Sequence, residues 1–127
     1  MDRIQVAKVI AAYVKKRRSE LALIRDSAQT VVDRAKRDRA FAKALFDEAV
    51  ALFLDGEPET ARLALRDLVK ATVGFEQLAT ETGKPAKSLH RMLSTRGNPS
   101  MDNLSVVLGV LRQRLGMKHR SRPMKAA

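Results

Sequence analysis

The chain has 127 residues, 45% of them hydrophobic and 31% charged, enough for one packed domain of ordinary size with an appended arm. It contains no Cys, which excludes a disulfide scaffold, a zinc finger and a thiol nucleophile. The net charge is +11, and an aromatic share of 4% with only six Gly and four Pro favours helices over a β-sandwich or barrel.

Residues 1–24 carry Ile4, Val6, Val9, Ile10, Tyr13 and Val14 at spacings that allow an amphipathic helix ending near Lys15-Lys16-Arg17-Arg18. Such an arm can pack on the core, pair with a second subunit or lie on a membrane surface. The absence of Trp or Phe from its apolar face favours the first two. The apolar run precedes the basic one, the reverse of a signal peptide. The longest apolar runs, 9–14 and 49–54, are six residues each, short of the roughly 20 that span a bilayer. The expected location is cytoplasmic, with no membrane partner.

Asp26 or Ser27 caps a short helix to about Arg37, and Asp38 caps the next to about Leu54. In that second helix Arg39, Lys43 and Asp47 form a narrow polar stripe. Its wide apolar arc asks for burial on more than one side. Asp55-Gly56 makes a turn, and Pro58 suits the first helical position. Glu57 and Glu59 place negative charge at the positive end of that helix. Ala61, Ala64, Leu65, Leu68 and Val69 form its inner face, and Gly74 ends it. Short helices follow at about 75–81 and 86–94, then a loop at 95–99. Ser100 caps a last helix whose inner face is Leu104, Val107, Leu108, Leu111 and Leu115.

The charge is polarised along the chain. Residues 84–127 carry ten basic and one acidic side chain, whereas residues 57–83 carry three and five. A basic excess gathered in the last third makes a directed field, whose natural partner is nucleic acid.

The stretch 75–94 reads as a helix-turn-helix. Ala79 is the small residue needed where two helices cross, and Gly83 suits a turn of positive φ. Leu78, Leu89, Met92 and Leu93 face inward, leaving Lys87, Ser88, His90, Arg91 and Ser94 outward and Ala86 at the helix start. That face fits the DNA major groove. Ala86, Lys87, Ser88, His90 and Arg91 are the expected base-contacting residues. Gln77, Lys84, Arg96 and Asn98 flank them and are the expected phosphate contacts.

The run 75–115 resembles the helix-turn-helix addiction-module antidote proteins, related to HigA-type antitoxins and phage-repressor-like regulators. The resembling pieces are Gly56-Glu57-Pro58-Glu59-Thr60-Ala61, Leu65-Arg66-Asp67-Leu68-Val69, Gly74-Phe75-Glu76, Thr82-Gly83-Lys84, Lys87 to Ser94 and Gly97-Asn98-Pro99. The likeness extends back through Arg37-Asp38-Arg39-Ala40-Phe41 and covers residues 25–117. It implies a DNA-binding antitoxin that represses its own operon, dimerises on a palindromic operator and neutralises a small toxin of the RelE/ParE type.

Catalysis has little footing. His90 and His119 lack nearby carboxylates at metal-ligand spacing, and there is no phosphate-cradling Gly-rich loop or nucleophile elbow. No metal and no cofactor are expected. The expected architecture is all-α: an N-terminal helical arm over 1–24, a repressor-like helix-turn-helix domain over 25–117 and a basic flexible tail over 118–127. The expected function is a sequence-specific regulator binding double-stranded DNA as a homodimer, the antitoxin of a toxin–antitoxin pair. The alternative is a protein-interaction module in residues 1–54 that neutralises a toxin with little DNA binding of its own.

Overall fold

A computed structural model describes residues 3–19 and 25–117; the expected tail 118–127 lies outside the described residues, as do residues 20–24. The described chain is all-α, with seven helices and no strand among the described residues. They are α1 (Arg3–Ser19), α2 (Arg25–Arg37), α3 (Arg39–Leu54), α4 (Pro58–Ala71), α5 (Phe75–Thr82), α6 (Ala86–Met92) and α7 (Met101–Arg114). None is long and apolar enough to cross a membrane.

Local chemistry sets most of the boundaries. The Asp38 side chain accepts a hydrogen bond from the Phe41 N–H and so caps α3. Gly56 turns the chain at φ 78°, and Pro58 opens α4 where its missing N–H costs nothing. The Ser100 hydroxyl accepts from the Asn103 N–H and caps α7. At α2 the boundary differs. The helix already includes Arg25, so Asp26 and Ser27 fall inside its first turn rather than at its cap.

The core is organised around α4, which touches α1, α2, α3 and α5. Its burial therefore exceeds the single stripe read from its periodicity. Besides Ala61, Ala64, Leu65, Leu68 and Val69, the side chains of Thr60, Arg62, Leu63 and Asp67 are also buried. The periodicity of a helix shows its most apolar face but not how many neighbours enclose it.

α3 sends Phe41, Ala42, Leu45, Phe46, Ala49 and Leu52 inward. Its remaining apolar flank is only partly covered: Ala44, Val50, Ala51 and Phe53 are half-buried and Leu54 is exposed. Ala40, Ala44 and Ala51 line an open groove of about 660 Å³ whose other wall is Val6, Ala7, Ile10 and Ala11 of α1, with Arg3, Lys43, Asp47 and Glu48 also lining it.

α1 packs on α3 and α4. Ile10, Tyr13, Val14 and Arg17 form its buried face at i, i+3, i+4 and i+7. Ile4, expected on that face, is exposed. The helix ends at Ser19, just past the basic run as expected, and one member of that run turns inward. Arg17 pairs with the buried Asp67 at 2.6 Å, and the Tyr13 hydroxyl donates to the same carboxylate oxygen. Burial works against the Arg17 charge, but the Asp67 carboxylate more than offsets it and holds the guanidinium protonated. Arg18 meets Glu57 through two bonds at 2.6 and 3.0 Å. The Glu57 side chain thus answers Arg18 rather than capping the N–H groups of α4.

Candidate nucleic-acid interface

The C-terminal third is built from α5, α6 and α7, with α5 in contact with both of the others. Phe75 and Leu78 of α5 and Leu89 and Leu93 from α6 and its end are buried together. Ala79 is half-buried beside them. α5 stops at Gly83, which takes φ 71° and donates its N–H to the Ala79 carbonyl. A side chain is strained at that angle, so glycine is the residue the turn accepts. The Thr82 hydroxyl donates to the Leu78 carbonyl and accepts from the Lys84 N–H at 3.3 Å, which tightens the turn. Pro85, extended at φ −62° and ψ 141°, then starts α6.

Five of the nine expected contact residues converge. Lys84, Ser88, Arg91, Arg96 and Asn98 line one open concavity of about 370 Å³, together with Met92, Gly97 and Asn103. Three of those side chains are cationic and no carboxylate lines the space. A lining of three cations with no carboxylate among them favours an anionic partner. Arg91, Arg96 and Asn98 are exposed, and Lys84 and Ser88 are half-buried. Lys87 is exposed on the same helix, with Ala86 half-buried before it.

The other two expected residues are committed to protein contacts. The Gln77 amide donates to Glu81 at 3.0 Å, one turn along α5. Glu81 also pairs with Arg114 of α7, and those two hydrogen bonds, Arg114 foremost, hold its carboxyl below the usual range. His90 is turned toward α5 rather than away from the protein. Its ring stacks on Phe75 with centroids 3.8 Å apart and planes 18° from parallel. Burial against that ring, followed by the nearby charges of Arg66 and Lys70, pushes the imidazole below its ordinary value. The neutral ring retains one N–H donor, but its face is taken.

Three contributors were not read from the sequence. Asn103 reaches the concavity from the first turn of α7, a position that the Ser100 cap fixes three residues earlier. Arg62 donates to the carbonyls of Ser94 and Thr95, each at 2.9 Å, and Arg66 donates to the carbonyl of His90 at 3.3 Å. The four-residue spacing of Arg62 and Arg66 on α4 was the available signal, but spacing alone does not say what a paired face meets.

The features together define a small all-α protein in which α6, the turns on either side of it and the start of α7 line a cationic concavity with no carboxylate in its lining. Compared with family models, curated proteins and solved structures, the chain matches none of them.

Proposed function

We propose that the chain is a sequence-specific regulator that binds double-stranded DNA, with α5 and α6 as a helix-turn-helix and α6 as the helix that enters the major groove. The observation that carries this reading is the gathering of Lys84, Arg91 and Arg96 in one acid-free concavity beside the exposed Lys87. Arg91 and Lys87 have the donors to read guanine O6 and N7, with Ala86 and Ser88 beside them. Lys84, Arg96 and Asn98 suit phosphates, which set register. His90 contributes through its edge and its packing on Phe75, and Gln77 reaches a phosphate only by leaving Glu81. The repressor-like domain, a homodimer on a palindromic operator, and the role of autorepressing antitoxin beside a small RelE/ParE-type toxin belong to the same proposal and draw support from the sequence resemblance.

The test is selection of duplexes from a randomised pool by the whole chain, followed by fluorescence anisotropy over a salt series. An enriched motif is expected, with affinity falling by about 0.9 log unit per phosphate contact for each tenfold rise in salt. Equal binding to every duplex, or none, removes the reading.

A second reading, a toxin-neutralising module in residues 1–54, is favoured by the groove between α1 and α3, whose alanine, valine and isoleucine floor is rimmed by Arg3, Lys43, Asp47 and Glu48. Capture of the adjacent gene's product by a chain carrying Lys87→Ala and Arg91→Ala, with no duplex retained by the wild type, would select it.

A further inference from the structure

α6 has seven residues and ends without a left-handed glycine, since Leu93 leaves it at φ −100° and ψ 22°. So short a helix does not hold itself, and its last carbonyls need donors from elsewhere. Part of the supply is local: the Ser94 N–H and hydroxyl both donate to the Arg91 carbonyl. α4 adds donors both to the end of α6 and to the two residues that follow Leu93. Arg66 takes the His90 carbonyl, and the guanidinium fork of Arg62 spans the carbonyls of Ser94 and Thr95.

Arg62 is only 8% exposed, and among the described residues no carboxylate pairs with it. Burying a cation costs free energy unless its donors are satisfied, so an arginine there is explained by the carbonyls it holds. The same segment also packs closely on the end of α6 at Gly97. A Cβ on Gly97 would lie 2.3 Å from the Met92 carbonyl oxygen and 2.5 Å from that of Arg91. Residues 94–98 are therefore held by Arg62 at Ser94 and Thr95 and against the end of α6 at Gly97, and they carry Arg96 and Asn98 into the cationic concavity.

We infer that Arg62 is a positioning residue for DNA: it docks residues 94–98 and so sets where Arg96 and Asn98 meet phosphates, without contacting the duplex itself. This rests on the DNA-binding reading above. The test uses the full chain with Arg62→Met, which keeps length and removes every donor. Amide hydrogen exchange is expected to quicken over 94–98 while the α3 core stays protected. On a duplex selected by the wild type, affinity falls several-fold and the log–log salt slope becomes shallower by about 0.9, the loss of one contact. Adding Arg96→Ala to Arg62→Met costs little more, and Arg62→Lys recovers part of the affinity. Unchanged exchange over 94–98, or losses that add in full, overturn the inference. Should Arg62→Met fail to fold, Arg62→Lys carries the same cycle. A wild type that retains no duplex removes the DNA reading and not the docking, which exchange reads separately.

Discussion

Arg17 and Asp67, fifty residues apart in sequence, meet inside the protein with an Nη2–Oδ2 distance of 2.6 Å. The pair ties α1 to the central helix α4, and the Tyr13 hydroxyl completes it. The other carboxylate oxygen, Oδ1, has no hydrogen-bond partner among the described residues. Removing Arg17 therefore leaves a buried carboxylate with Tyr13 alone.

Arg17→Met is expected to lose about 3–5 kcal/mol of unfolding free energy, measured by urea titration. Arg17→Met combined with Asp67→Leu is expected to recover much of that, because the stranded charge is gone. A double variant as unstable as the single one would show that packing, not charge, sets the loss.

His90 makes stability depend on pH. Its folded imidazole titrates below the ordinary value of 6.5, so the unfolded chain takes up the proton first as pH falls. The His90 contribution is therefore present above pH 6.5 and is lost as pH drops through the ordinary value toward the folded one. NMR titration of the ring checks the direction, and His90→Gln is expected to flatten that part of the stability–pH curve. A midpoint at or above the ordinary value contradicts the stacked, neutral ring.

Arg91 and Arg96 should fail differently. Arg91→Ala is expected to cost about 1–3 kcal/mol of binding and to relax the choice of base at one position. Arg96→Ala is expected to weaken all duplexes alike and to reduce the salt slope by about 0.9. Anisotropy on the selected duplex and on single-base variants separates the two. Identical behaviour of both variants rejects the division into base and phosphate contacts.

Gly97 has no room for a side chain, and the atoms in the way are backbone carbonyls that cannot swing aside. Gly97→Ala is expected to destabilise the chain by about 1–3 kcal/mol in thermal or urea unfolding, by forcing residues 94–98 off the end of α6. Gly109→Ala serves as the control, since nothing lies within 4 Å of a Cβ there. Equal stability of the two variants would contradict the close approach.

Much of the local plan was legible in the residues: the Asp38 and Ser100 caps, the turn at Gly56, the proline start of α4 and the left-handed Gly83. Each depends on one side chain and its immediate neighbours, so each can be read from a short window. The cationic content of the last third was legible for the same reason. What such a window cannot show is the partner. Arg17 stands in a basic run like any solvated one until Asp67 arrives from α4. Arg62 looks like an outward residue until the loop after α6 presents the carbonyls of Ser94 and Thr95. His90 shares the outer arc of α6 with Lys87 and Arg91, and only the crossing of α5 over α6 decides that its ring lies flat on Phe75. Helix positions follow from short-range sterics and hydrogen bonds, but the fate of a polar side chain depends on which distant group desolvates it, and that is settled when the helices pack.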